Sequence, residues 1–309
     1  MSEVKEKSLN VTKVIDYFNL RIINQDNPNL QYNDIYQPTI KRVGLELSEL
    51  IVTERIYKNV VAWGTSESMW FFSIGKQRAT KAIEHIFSQL PPLVLLSKGF
   101  QKPALSWVYE IANKYNIPVA LSRKSSSIMT TNVGTYLNDF FAEETQVHGT
   151  LVLVGAIGVL IIGQSGVGKS EAALELVQRG NILISDDAVL IKDAGIHFIG
   201  RCPSITRNFL EVRGIGIIDV KYTYGVSSMS ESANIDLVIE LVKFNRANSY
   251  DRLGTELLTH NILGRTVRKM VVPIKEGGSA ASLIEAAVSF YMAQKDGKNI
   301  LKEIENRRY

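Results

Sequence analysis

The chain has 309 residues, room for two domains, and its 45% hydrophobic and 21% charged content is an ordinary globular balance. Its 35 basic and 31 acidic residues leave a net charge of only +4 with no long Lys/Arg run, which argues against a nucleic-acid partner. One cysteine, Cys202, excludes an intrachain disulfide or a cysteine-built metal cluster, and the longest apolar run, Leu151–Ile162, is glycine-broken and too short to span a membrane. The charged start Met1–Lys7 lacks the apolar stretch of an export signal, so a soluble cytoplasmic protein with no membrane partner is expected.

In the first half, Val11, Val14, Ile15 and Phe18 follow helical spacing after a possible Asn10 cap, and Leu20–Ile23 reads as a strand. Residues 25–40 are polar and turn-rich, with Asn27-Pro28 and Gln37-Pro38. Val60–Trp63, Leu93–Leu96 and Pro118–Leu121 read as strands, and Pro103–Tyr115 as a helix with proline in its first turn. This rhythm predicts a small α/β domain, in which no catalytic constellation stands out. Arg123–Ser127 reads as a connector, and Val133, Tyr136, Leu137, Phe140 and Phe141 form the stripe of a packed helix. These readings place an N-terminal α/β domain over 1–127 and a second domain over 128–309.

The second half is built around Gly163-Gln164-Ser165-Gly166-Val167-Gly168-Lys169-Ser170, which fits the phosphate-cradling pattern Gly-x-x-x-x-Gly-Lys-[Ser/Thr]. Its flanks agree. Val159–Ile162 is apolar and β-branched, as a buried strand is, and Ser170–Val177 is rich in helix formers, with Gly180 placed to end the helix. Glycines let backbone N–H groups approach phosphate oxygens, and the helix directs its positive end at the anion. Lys169 would reach the β- and γ-phosphates, and the Ser170 hydroxyl would ligate Mg²⁺.

Upstream, Val147-His148-Gly149-Thr150 leads into Leu151–Val154, which a turn at Gly155–Gly158 returns as Val159–Ile162. His148 can lie near the loop in space if the strands pair, although a lone histidine is usually structural or solvated. Downstream, Asn181–Ile184 is a strand ending in Ser185-Asp186-Asp187, the natural companion of a phosphate loop at carboxyl strand ends. One carboxylate can hold Mg²⁺ and the other can accept a proton from a hydroxyl nucleophile. Val189–Lys192 and Ile196–Ile199 read as a hairpin.

The segment Leu210-Glu211-Val212-Arg213-Gly214-Ile215-Gly216-Ile217-Ile218-Asp219 combines carboxylates, a guanidinium and two glycines, and could approach metal and phosphate; an ordinary strand with a turn is an equal rival. Asp251-Arg252-Leu253-Gly254 lies in a polar loop where an arginine could stabilise a transferring phosphoryl group or simply face solvent. After the strand Met270–Val272 comes Pro273-Ile274-Lys275-Glu276-Gly277-Gly278, then a helical stripe from Ala280 to Tyr291 with Ser279 as a candidate cap, and a charged tail over 295–309.

Taken together, His148-Gly149, Gly163–Ser170, Ser185-Asp186-Asp187, Leu210–Asp219 and Asp251–Gly254 resemble the HPr kinase/phosphorylase family in order and spacing. The likeness implies a C-terminal P-loop-containing kinase domain. It also implies an ATP-dependent protein-serine kinase that phosphorylates the phosphocarrier protein HPr, and a phosphorylase that removes the group with inorganic phosphate, making pyrophosphate. By resemblance, Asp187 takes the serine proton and returns it in reverse, while His148, Lys169 and Arg252 are further catalytic residues. Ser170 and Glu211 are the implied Mg²⁺ ligands, and a homo-hexamer is implied. Family members commonly carry arginines in the loop corresponding to Pro273–Gly278, tied to the phosphorylase direction; here Lys275 is the basic residue, a point charge without the arginine fork. A P-loop kinase of a small metabolite and a non-catalytic nucleotide-binding regulator are the rival readings. The intact Lys169, Ser170 and Asp187 weigh against the second, and a GTPase is disfavoured because no guanine-reading motif follows the loop.

Overall fold

The computed structural model describes residues 6–47, 55–246, 256–275 and 277–298. The chain divides into two compact units, Met1–Phe141 and Ala142–Tyr309.

The first unit is an α/β layer structure around a five-stranded sheet in the order Arg21–Ile22, Val119–Leu121, Val94–Leu96, Val60–Trp63, Ile40–Lys41. Neighbours run parallel except at the antiparallel Arg21–Ile22 edge. Alternation along one strand feeds two cores. Val61 and Trp63 face helices Thr65–Ile74, Lys76–Phe87 and Lys102–Tyr115, whereas Val60 and Ala62 face helices Val11–Tyr17 and Ser126–Phe141. Composition alone reads Arg123–Ser127 as a connector and starts the second domain at residue 128. The helix in fact begins at Ser126, inside that stretch, and Met129, Val133 and Leu137 close one of the first unit's cores. The compact units therefore part after Phe141 rather than at 127/128.

The second unit is built on a six-stranded sheet in the order Ile182–Ser185, Thr150–Val154, Ile157–Gly163, Leu237–Lys243, Arg265–Ile274, Thr259–Ile262. Ile157–Gly163 runs parallel to Leu237–Lys243, and that strand runs parallel to Arg265–Ile274. Ile182–Ser185 points the same way, because it and Ile157–Gly163 both pair antiparallel with Thr150–Val154 between them. Four carboxyl strand ends, and the amino end of Thr150–Val154, thus meet along one sheet edge.

Both faces of this sheet are covered, which is why its strands read as nearly continuous apolar runs. Val159, Ile161, Leu237 and Ile239 pack beneath Ala172, Ala173 and Leu176 of helix Lys169–Gln178 and Ile284 and Val288 of helix Ala280–Lys295. Leu160 and Val238 pack on the opposite side with Val189, Ile191 and Phe198. Those three belong to a second, four-stranded antiparallel sheet ordered Ser232–Asn234, Phe198–Arg201, Ala188–Asp193, Glu144–His148. The Val189–Ile199 hairpin is present, its turn closed by Asp193 accepting from Gly195 N at 2.8 Å.

Candidate functional site

The phosphate loop joins strand Ile157–Gly163 to helix Lys169–Gln178. Its backbone needs glycine at Gly163, Gly166 and Gly168, where φ is +146°, +77° and +103°. Space adds a second demand at Gly163: a Cβ there would stand 2.4 Å from the Leu241 carbonyl oxygen on the adjacent strand. No side chain caps the helix start at Gly168, so its first N–H groups are left to an anion. Lys169 is buried, and its Nζ donates to the carbonyls of Gly163 at 3.0 Å and Gln164 at 3.3 Å, which folds the loop around its own ammonium.

The two neighbouring aspartates are sorted by the backbone. Strand Ile182–Ser185 ends before them, after a register irregularity between Leu183 and Ser185. Asp186 is 5% exposed, and both of its carboxylate oxygens accept hydrogen bonds, from Ser170 Oγ at 2.8 Å and Thr150 Oγ1 at 2.7 Å. Asp187 has φ +64° and sits at the centre of a tight turn in which Ala188 N donates to the Asp186 carbonyl at 2.8 Å. Such a bond across one residue with positive φ marks a strained γ-turn, a conformation that persists only where its surroundings hold it. The turn throws the Asp187 side chain outward, 73% exposed. The separation of the two carboxylates thus comes from this turn rather than from strand alternation.

His148 closes the group. It ends strand Glu144–His148, where register sets it opposite Ala188, and its Nδ1 lies 3.1 Å from Asp187 Oδ1. Gly149 N donates to the Asp187 carbonyl at 3.0 Å, locking the same turn from its other side. Both side chains are more than half exposed, so they can meet a substrate.

The segment Leu210–Asp219 is a two-stranded ribbon, Phe209–Val212 against Gly216–Asp219, with Glu211 opposite Ile217. Leu210 and Val212 point into the main core, which leaves Glu211 on the exposed face with Ile217. Gly214 and Gly216 carry the turn at φ +80° and +113°. Asp219 Oδ1 accepts from Tyr222 N at 2.9 Å, so this carboxylate caps the short helix Val220–Tyr224.

The expected loop Pro273–Gly278 is partly strand. Pro273 and Ile274 pair with Val242 and Lys243, and the loop proper starts at Lys275, whose Nζ stands 5.0 Å from the Phe244 ring centroid. Proline is tolerated there because the antiparallel partner Thr259–Ile262 pairs only as far as Arg268. Ser279 caps helix Ala280–Lys295 and donates to Glu175 at 2.9 Å. Arg179 donates to Glu285 at 2.6 Å and to Ser282 at 2.8 Å, tying the loop helix to this C-terminal helix; the Glu285 hydrogen bond holds its pKa above the ordinary arginine value. Arg252, with Asp251, Leu253 and Gly254, and also Glu276 and the tail from 299 onward, lie outside the described residues.

The structure therefore brings together the loop, Asp186, Asp187 and His148, while Glu211 makes no hydrogen bond or ion pair with them among the described residues. No cluster of three or more His, Cys, Asp or Glu side chains fit to cage a metal occurs among the described residues. The oxygens of Ser170 and Asp186, 2.8 Å apart, suit a hard cation such as Mg²⁺ that completes its shell with water and phosphate oxygens. Thr150 is the participant that the sequence reading passes over; its only signal is a hydroxyl at the head of an apolar strand.

Family models described as the HPr Serine kinase N terminus and the HPr Serine kinase C-terminal domain match residues 9–137 and 139–308. The chain is 44% identical over 303 residues to the HPr kinase/phosphorylase of Mycoplasmopsis pulmonis, covering 98% of each chain. It is 38% identical over 283 residues to the protein of that name from Clostridium beijerinckii, covering 91% of each. A solved structure, the Hpr(Ser) kinase/phosphatase from Coxiella burnetii, matches at 34% identity and a TM-score of 0.47, covering 50% of this chain and 93% of that one.

Proposed function

The chain belongs to the HPr kinase/phosphorylase family, and from that premise we propose that it moves a phosphoryl group between ATP and a serine of HPr at the edge formed by Gly163–Ser170, Asp187 and His148. In the kinase direction the ATP phosphates lie against the loop N–H groups, and Lys169 exchanges its carbonyl partners for phosphate oxygens. The bond from the γ-phosphorus to the β,γ-bridging oxygen breaks as the serine oxygen bonds to that phosphorus. The serine proton passes to Asp187, whose turn holds it clear of the sheet. His148 orients the Asp187 carboxylate through their 3.1 Å contact. In reverse, an oxygen of inorganic phosphate bonds to the phosphoserine phosphorus, the serine oxygen leaves with the proton from Asp187, and pyrophosphate forms.

Magnesium fits this site: Ser170 and Asp186, with Glu211 from the ribbon, would hold it, and its charge would offset that of the phosphates. The arginine role at Arg252, a dephosphorylation role for the loop starting at Lys275, a homo-hexameric assembly and a cytoplasmic location complete the reading. Among the described residues no helix is long and apolar enough to cross a membrane.

The observation that carries the proposal is the division of labour between adjacent carboxylates. Asp186 is buried and bound to the loop serine; Asp187 is exposed and paired to a histidine. The experiment is transfer of label from ATP to HPr with Mg²⁺, using Lys169→Ala and Asp187→Ala as controls. Label on the HPr serine with the wild type alone, and pyrophosphate on adding phosphate to phospho-HPr, are expected. An unlabelled HPr with ATP still bound to the wild type overturns the proposal.

A further inference from the structure

The first unit carries a cleft of about 550 Å³ whose lining includes three tyrosines. Tyr32, Asp34 and Tyr36 come from the chain ahead of strand Ile40–Lys41, Tyr57 from the short turn Ile56–Lys58 ahead of Val60–Trp63, and Ser88 and Leu90 from the end of helix Lys76–Phe87 ahead of Val94–Leu96. These three strands are parallel neighbours, so the cleft is built at their amino ends, the edge opposite to the one where ligands of such sheets usually gather. Its walls are fixed from behind. Ile35, Ile56 and Phe87, each next in the chain to a lining residue, are fully buried, and Tyr36 N donates to the Lys58 carbonyl at 3.0 Å, tying the first wall to the second. The cleft is therefore preformed.

Its rings are not spent on packing or hydrogen bonds. Tyr32, Tyr57 and Leu90 stand among the large side chains left exposed, and the hydroxyls of Tyr32, Tyr36 and Tyr57 make no hydrogen bond among the described residues. The charge of the lining has one sign. No lysine, arginine or histidine lines the cleft, and Asp34 is its one carboxylate. Asp34 Oδ1 accepts from Asn10 Nδ2 at 3.0 Å and Oδ2 from Ser8 Oγ at 2.7 Å; both donors are neutral, so the carboxylate is oriented without being neutralised. Lys58, whose Nζ stands 5.6 Å from the Tyr36 ring centroid, is paired with Glu6 at 2.5 Å instead. Helix Lys76–Phe87 adds its negative end, where Ser88 N donates to the Glu84 carbonyl at 2.8 Å and Leu90 N to the Phe87 carbonyl at 2.9 Å.

Ring faces, an uncompensated carboxylate and a helix carboxyl end all favour a positive ligand and repel an anion. A metal ion is a poor match, because one carboxylate supplies too few oxygens for a hard cation and ring faces bind weakly hydrated cations. We propose that this cleft is a binding site for a small organic ammonium ion of the quaternary or methylated-amine kind, its charge against Asp34 and its methyl groups against Tyr32, Tyr36 and Tyr57. The site is independent of the phosphate loop and stands or falls without it.

The test is calorimetric titration of the full chain with choline, with its neutral isostere 3,3-dimethylbutan-1-ol, and with glucose. Choline is expected to bind with a Kd of about 0.1–10 mM, as so few heavy atoms allow, and the neutral isostere about tenfold more weakly. Asp34→Asn keeps the side-chain shape and should weaken choline about tenfold, and Tyr57→Leu keeps an apolar body without the ring face and should weaken it about fivefold. Thermal unfolding of both variants shows that the fold is kept, and Asp34→Asn should leave the weak binding of the neutral isostere unchanged, which a collapsed cleft would not. Choline binding that is absent up to about 100 mM, equal to that of the neutral isostere, or unchanged in Asp34→Asn overturns the proposal. So does glucose binding more tightly than choline, which would make the cleft a sugar site.

Discussion

Each half of the chain contains a strand that runs through glycine into a helix, and the two treat the helix N-terminus in opposite ways. In the first unit, strand Val60–Trp63 passes through Gly64 directly into helix Thr65–Ile74. There Gly64 N donates to Glu67 Oε2 at 2.6 Å, and Arg42 holds the other oxygen of that largely buried carboxylate at 3.1 Å. A Cβ on Gly64 would collide with the Ser126 and Ser97 hydroxyls, at 2.0 and 3.0 Å, so the end is crowded as well as neutralised. In the second unit, residues 164–168 separate Gly163 from the helix, and no side chain caps it. Cations, Lys169 and Arg213, border the opening instead. The same dipole and the same orphan N–H groups are satisfied from within by a carboxylate in one case and left for a phosphate in the other. Both helices carry glutamate at the third position, Glu67 and Glu171, so loop length and whether that side chain reaches back to the cap decide which.

Substitutions can break or sharpen this contrast. The largest effect is expected at the open end: Asp187→Asn removes the proton acceptor and should lower transfer in both directions by about 100- to 10,000-fold, with ATP binding kept, in assays of labelled HPr and released pyrophosphate. Asp186→Ala acts differently because it orphans Ser170 and Thr150. Urea unfolding should show about 1.5–3 kcal/mol lost, together with weaker Mg²⁺–ATP binding, and an unchanged stability would show that the Asp186 bridge contributes little. At the closed end, Glu67→Gln should cost roughly 1–2 kcal/mol in the same unfolding experiment and leave transfer to HPr at the wild-type rate. A matching fall in transfer would mean that the two ends are not independent. The smallest effect is assigned to Lys275→Arg, which restores a planar fork beside the loop edge and should raise phosphate-dependent dephosphorylation a few-fold while kinase activity stays level; equal dephosphorylation rates would refute it.

Much of this was legible before any coordinates. The phosphate loop, its strand and its helix follow from local patterns within about twenty residues, as do the buried strands, whose continuous apolar runs require cover on both faces. The capping serine Ser279 was equally visible, since a cap and its helix are neighbours in sequence. Other features were not legible, and for one shared reason. Strand Glu144–His148 has exposed and half-buried residues in alternation and no apolar run to announce it; only its pairing with Ala188–Asp193 makes it a strand and carries His148 to Asp187. The connector-like serines Ser126 and Ser127 start a helix because a core of distant residues accepts its stripe.

What the amino-acid sequence by itself determined is the chemistry available here: glycines for a phosphate cradle, a lysine and a serine at its end, and two adjacent carboxylates at a strand end. What only the tertiary structure decided is which group does what. A register irregularity and a positive-φ turn bury Asp186 against Ser170 and Thr150 and expose Asp187 to His148, and a ribbon far downstream in the chain lays Arg213 over Gly166. Strand register and long-range pairing set those positions, and neither is encoded in any short window of the chain.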